Sequence, residues 1–200
     1  MGLDHAGKAL FVAVALLVAA PAIADDGDAG RGRKLVYTCL GCHGIENYKN
    51  AYPKYSVPKL GGQSAVYIAA ALAEYQAGLR SHPTMKGMAS TLSAQDRADL
   101  AAWFQGPQRA KSSAMPVGTL PPIATACTAC HGQDGVGTVP ENPTLAGQHA
   151  DYLAQALNDY RLGKRQNPIM RPFAGQLTRD DIQALAAYFS SQPGLVTPKR

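Results

Sequence analysis

The sequence predicts an all-α chain built as two tandem, homologous domains, and three observations carry that expectation. Residues 57–104 align with residues 142–189 at a constant offset of eighty-five without a gap, and about twenty of the forty-eight paired positions are identical. Within each copy apolar residues recur at three- and four-residue spacing, while strand-like alternation is hardly visible. Matched helix start and stop signals flank those stretches in both copies. Two copies are too few for a solenoid, which needs about three stacked units, so a pair of similar domains is the natural organisation.

In chain order, residues Gly7 to Ala20 form a short apolar run behind Lys8, followed by Pro21 and the small-residue stretch Ala22-Ile23-Ala24. This is the pattern of a secretory signal peptide over residues 1–24, with cleavage after Ala24. The run is about a dozen residues, short of the roughly twenty that a membrane-crossing helix needs, so a retained anchor is the weaker reading. The first domain is expected over residues 25–105. Asp28 to Leu40 offers an N-terminal helix, and Ser64 to Ala77 a second that closes on Gly78. A third starts at Ser93, with Asp96 three residues on as a capping box, and runs to Phe104. Gly106-Pro107, Met115-Pro116, Val117-Gly118 and Pro121-Pro122 make residues 106–122 a proline-rich, extended linker. The second domain, residues 123–200, repeats the later helices over His149 to Leu162, closing on Gly163, and Thr178 to Phe189, with Asp181 completing the box. Pro121-Pro122 leaves room for only a short turn where the first domain has its N-terminal helix.

The formal charge of +5 is spread over both halves, with no basic run and no interleaved aromatic stripe, so a nucleic-acid partner has little support. Domains this short bury too little surface to be comfortably stable alone and need a cofactor or cross-links. The four cysteines supply the means. They fall in Cys39-Leu40-Gly41-Cys42-His43 and Cys127-Thr128-Ala129-Cys130-His131.

Two cysteines three apart on a helical turn share one face, and the next residue, a histidine, projects toward the same cofactor. Cys-x-x-Cys-His is accordingly the pattern of covalent c-type haem attachment, with thioether bonds from Cys39, Cys42, Cys127 and Cys130 and iron ligation by His43 and His131. Disulfides, a dithiol redox motif or a zinc site remain as alternatives, but none explains the adjacent histidines. A low-spin iron needs a second axial ligand, and Met85 and Met170 are the candidates, in His82-Pro83-Thr84-Met85 and Asn167-Pro168-Ile169-Met170. Met88 competes with Met85, yet it pairs with Phe173 in the repeat and is read as packing. His82 pairs with Asn167 and is expected in an exposed loop. The carbonyls of Pro58 and Pro143 are candidates to orient the histidines, with plain turn residues as the alternative. Arg80 and Arg165 either pair with haem propionates or sit at solvated helix ends.

The tandem order of Cys-x-x-Cys-His, Pro-x-Leu-x-Gly-Gln, the Asn-Pro-Ile-Met segment or its variant, and a capped helix ending in an aromatic pair such as Tyr188-Phe189 resembles the dihaem cytochrome c4 family over almost the whole mature chain. The resemblance implies two tandem class I cytochrome c-type domains, each wrapped around one covalently attached haem, with His43/Met85 and His131/Met170 ligation. It also implies residence in the periplasm and electron delivery toward a terminal oxidase by a carrier that is not an enzyme. The second copy departs from the family by lacking the N-terminal helix that such domains pack against their last helix.

The partners implied are redox proteins: a quinol-oxidising complex or a dehydrogenase as donor and a terminal oxidase as acceptor, with membrane association only through them. The alternative function is a cytochrome subunit of a periplasmic dehydrogenase complex, such as a sulfide- or alcohol-oxidising one. A dihaem peroxidase would need an open iron position, which the two methionines argue against.

Overall fold

The computed structural model describes residues 26–199 apart from Pro53, Gln108 and Ala114, so the expected leader lies outside the described residues. Asp28 opens the first helix, its carboxylate accepting from Gly30 N at 2.7 Å. The single helix expected here is two, α1 (Ala29–Leu35) and α2 (Tyr37–His43), jointed at Val36. The joint has a packing reason. It lets α1 lie along the last helix of the first half, α5 (Ala94–Gln105), while α2 turns Cys39 and Cys42 toward a cavity.

The approach of α1 to α5 is close because Gly32 is buried without a side chain. A Cβ at that position would collide with the Asp99 carbonyl oxygen and stand 2.9 Å from Trp103 Cβ. Asp99, itself fully buried, accepts from Asp28 N and Gln95 Nε2 at 2.8 Å each and pairs with Arg31. Gly32→Ala should therefore push α1 off α5 and destabilise the chain by about 2–3 kcal/mol, read from chemical denaturation of the holoprotein.

Between these helices lie α3 (Ala65–Ala77), ended by Gly78 at φ 77°, and α4 (Pro83–Ala89). The second half carries α6 (Thr125–His131), α7 (Ala150–Arg161), α8 (Met170–Gly175) and α9 (Arg179–Ser191). Both predicted capping boxes are formed, Ser93 with Asp96 and Thr178 with Asp181. Each half has its own apolar core. Val36, Leu40, Ile68, Leu100 and Phe104 fill the first, and Leu153, Ile182, Leu185 and Phe189 are central to the second. No strand occurs among the described residues, which hold only isolated bridges.

A 3₁₀ turn over Pro122–Ala124 precedes α6, so the short turn anticipated from Pro121-Pro122 is present and runs straight into the helix that bears the second cysteine motif. No counterpart of α1 follows it. Leu120 and Ala124 pack into the second core instead, and Val117 exchanges two hydrogen bonds with the Gln192 side chain, at 2.7 and 2.8 Å. The connecting segment is extended but tied to both halves. Ala110 N donates to Gly62 O at 2.8 Å, and Arg109 Nη2 to Gly137 O at 2.7 Å.

The halves dock about a pseudo-twofold axis. Ser81 N donates to Lys164 O and Gln166 N to Leu79 O, each at 2.8 Å. The repeat offset maps one bond onto the other, as a self-complementary contact between like domains requires. The tail closes the arrangement: Val196 exchanges backbone bonds with Gly61, at 3.0 and 3.1 Å.

Candidate functional site

Each half supplies most of the lining of an apolar cleft. In the first, of about 1290 Å³, Cys39, Cys42 and His43 line the wall together with Met85 and Met88. In the second, of about 860 Å³, Cys127 and His131 share the lining with Met170. Cys130, in the same motif helix, is exposed, and all four cysteines are free thiols. In the first half the motif helix brings both cysteines and the histidine to one cavity; in the second it brings Cys127 and His131, while Cys130 lies outside the lining.

The histidines are held in one orientation. A carbonyl oxygen can only accept, so His43 Nδ1 donates to Pro58 O at 2.9 Å and His131 Nδ1 to Pro143 O at 3.0 Å. That fixes the tautomer and leaves Nε2 unprotonated, with a lone pair able to ligate a metal. Burial pushes both imidazoles below their ordinary pKa, against the opposing effect of the carbonyl bond, and so favours the neutral form that binds a metal. Burial likewise raises the Cys39 and Cys127 thiols.

The methionines sit at matched helix starts. Met170 opens α8, its N–H donating to Asn167 Oδ1 at 2.9 Å, and Met85 lies in α4, its N–H donating to His82 Nδ1 at 3.2 Å. His82 is therefore a half-buried cap, contacting the rings of Tyr55 and Tyr75 at 6.4 Å each, rather than an exposed loop residue. Asn167 and His82 do the same work with different chemistry, which is why they pair in the repeat without being identical. Met88 shares the first cavity and is 39% exposed, so the repeat rather than the cavity favours Met85.

Arg80 and Arg165 are not at solvated helix ends; each retains only 5% of its exposure. Docking of the halves covers them. Arg80 pairs with Glu74 and lies 5.2 and 5.6 Å from the Tyr67 and Tyr75 ring centres, and Arg165 stands 3.8 Å from Asp159 and 5.4 and 5.6 Å from those of Tyr152 and Tyr160. Burial drives the Tyr160 hydroxyl up to about 12. The seam also belongs to both clefts, since Tyr67 and Tyr152 line each of them.

Asp151 fastens the rim of the seam, accepting from Lys49 Nζ and Ser56 Oγ at 2.9 Å each. Burial opposes its ionisation, but those partners outweigh it and hold the carboxyl below its usual range. The sign follows from that depression. The stabilisation is complete above the unfolded value of about 3.9 and is lost as pH falls through the lower folded value. The stability difference between the wild type and Asp151→Asn should accordingly shrink to nothing in acid, as urea titrations at a series of pH values would record.

The clefts suit a planar apolar group with covalent and axial anchors. A free thiol, an oriented imidazole and a thioether meet in each cavity, joined by a second thiol in the first, and Thr144, which lines the second, has a buried Oγ1 without a protein partner. Sequence reasoning missed the seam, although the matched Gln63, Gln148, Arg80 and Arg165 were visible as repeat identities.

Comparison with known proteins follows the same division. The family model for cytochrome c matches residues 29–106 and again residues 123–193. Cytochrome c4 of Pseudomonas aeruginosa is 34% identical over 81% of this chain and 87% of its own. The thiosulfate dehydrogenase electron acceptor of Stutzerimonas stutzeri is 32% identical over 88% of this chain and 91% of its own. Reduced recombinant cytochrome c4 from Pseudomonas stutzeri superposes with a TM-score of 0.64 at 35% identity, covering 85% of this chain and all of that structure.

Proposed function

The chain belongs to the dihaem cytochrome c4 family, an electron-transfer family with a covalent haem c in each of its two cytochrome c domains, and from that premise we propose that it is a periplasmic carrier passing electrons toward a terminal oxidase. We assign the haem anchors to Cys39 and Cys42 in the first domain and Cys127 and Cys130 in the second. The axial pairs are His43 with Met85 and His131 with Met170. Bound there, each haem supplies a one-electron ferric–ferrous couple. The single observation that carries the reading is the duplicated cavity in which the motif histidine, with Nδ1 engaged by a proline carbonyl, shares the wall with a methionine.

The residues contribute binding and orientation. Pro58 and Pro143 hold the imidazoles and raise their basicity as ligands. His82 and Asn167 cap the methionine helices, and Arg80 and Arg165 place two cations between the clefts, where they would favour propionate carboxylates. Export to the periplasm rests on the leader in residues 1–24, and no described helix is long and apolar enough to cross a membrane.

A second reading draws on the electron-acceptor relative: delivery of electrons to this chain by a periplasmic dehydrogenase, with the chain as its cytochrome subunit. Purification from the native source separates the two. A free carrier elutes alone at moderate salt, and a stoichiometric dehydrogenase partner surviving that salt would overturn the carrier reading.

A further inference from the structure

The docking seam contains a hydrogen-bonded relay that runs from each half into the other half's histidine. Gln63 is 4% exposed, and its amide reaches across the seam to Thr144: Nε2 donates to Thr144 O at 2.9 Å and Oε1 accepts from Thr144 N at 2.9 Å. Gln148, 5% exposed, does the same in reverse, Nε2 donating to Lys59 O at 3.0 Å and Oε1 accepting from Lys59 N at 2.9 Å. The repeat maps Gln63 onto Gln148 and Lys59 onto Thr144, so the two clasps are images of each other.

The N–H of Thr144 belongs to the peptide group whose carbonyl is Pro143 O, and that carbonyl accepts from His131 Nδ1 at 3.0 Å. The N–H of Lys59 belongs to the group whose carbonyl is Pro58 O, which accepts from His43 Nδ1 at 2.9 Å. A peptide group is planar and conjugated, so anchoring its N–H fixes the direction of its carbonyl. Hydrogen bonds in such a chain also polarise one another, by about 10–30% per bond. An acceptor on the N–H makes the carbonyl oxygen a stronger acceptor for the imidazole. A second bond holds each glutamine in its own half: Gln63 Oε1 also accepts from Ser64 N, and Gln148 Oε1 from His149 N.

We propose that Gln63 and Gln148 are positioning residues that act across the domain seam, each tuning the axial histidine, and hence the reduction potential, of the haem in the opposite domain. The proposal rests on the assignment of His43 and His131 as iron ligands. A stronger Nδ1–H bond makes the imidazole more basic and favours the ferric iron. Removing Gln63 therefore raises the potential of the second domain's haem, and removing Gln148 raises that of the first.

The test is a redox titration of the full holoprotein followed by the hyperfine-shifted proton resonances of the ferric form, which report the two haems separately once assigned with Met85→Ala and Met170→Ala. Two low-spin sets must be present in the wild type. Their absence would overturn the ligand assignment itself, independently of the clasp. Gln63→Leu should raise the ferrous-to-ferric ratio of the second haem on the order of threefold at fixed ambient potential and leave the first unchanged, with Gln148→Leu giving the mirror result. Gln63→Asn, which keeps the amide but shortens its reach, should give a smaller shift in the same haem and serves where the leucine variant does not fold. Asp151→Ala loosens the rim of the seam at Lys49 and Ser56 while leaving both glutamine clasps in place, and should give no domain-selective shift. A shift confined to the substituted domain's own haem, an equal shift in both, no shift, or the same pattern from Asp151→Ala would each overturn the proposal.

Discussion

Replacement of Cys39 and Cys42 together by alanine should yield a chain with one covalent haem, seen as the loss of one haem mass from the intact protein, and a first domain that no longer folds independently of added haem. The physical reason is size. The buried apolar set of this half consists of little more than Val36, Leu40, Ile68, Leu100, Ala101 and Phe104, arranged around an open cleft of about 1290 Å³. A domain this small is marginal without a cofactor, and covalent anchors hold the cofactor in the folding chain. The Cys127, Cys130 pair should behave in the same way. Its domain has the larger buried core and the smaller cleft, about 860 Å³, so its dependence on the haem should be no greater.

Met85→Ala and Met170→Ala should each remove half of the weak long-wavelength sulfur-to-iron absorption of the ferric protein and lower the potential of one haem. A thioether ligand favours the ferrous state, so its loss shifts the couple downward and opens an iron position to added carbon monoxide. The double variant should lose the absorption altogether. Met88→Ala should leave it intact, because Met88 has no methionine counterpart in the repeat. Persistence of the full band in Met85→Ala together with its loss in Met88→Ala would reassign the first ligand.

Much of this architecture was legible before the structure, because it rests on local chemistry. The capping boxes at Ser93 and Thr178 need only a hydroxyl and a carboxylate three residues apart, and both formed. Helical periodicity was enough to turn Cys39, Cys42 and His43 to one cavity in the first half, whereas Cys130 of the second motif stays exposed. Pro58 and Pro143 could be named as histidine partners because each opens a matched Pro-x-Leu-x-Gly-Gln stretch shortly after its motif, and both carbonyls accept from the histidines.

What escaped sequence reasoning depends on contacts between residues far apart in the chain. Val36 shows no helix breaker, and the joint between α1 and α2 reflects packing against α5 and the cavity at once. Arg80 and Arg165 read as solvated because arginine usually is, whereas the seam buries both against tyrosines. His82 read as a loop residue because its capping role is visible only against Asn167 in the other domain. Gln63 and Gln148 lie in the matched Pro-x-Leu-x-Gly-Gln stretch, but their reach of eighty-one and eighty-nine residues along the chain has no local signature. The missing helix of the second domain is resolved in the same terms: the linker and its 3₁₀ turn cover α9 instead.

The central claim is that this chain carries two haems, each closed by histidine and methionine, and moves electrons without binding a substrate at iron. A reductive titration of the holoprotein with counted electrons, monitored optically under carbon monoxide, tests it most directly. Uptake of two electrons per chain, with low-spin six-coordinate spectra throughout and no carbon monoxide adduct, is the result predicted here. Uptake of a single electron, or an adduct at either iron, would contradict it.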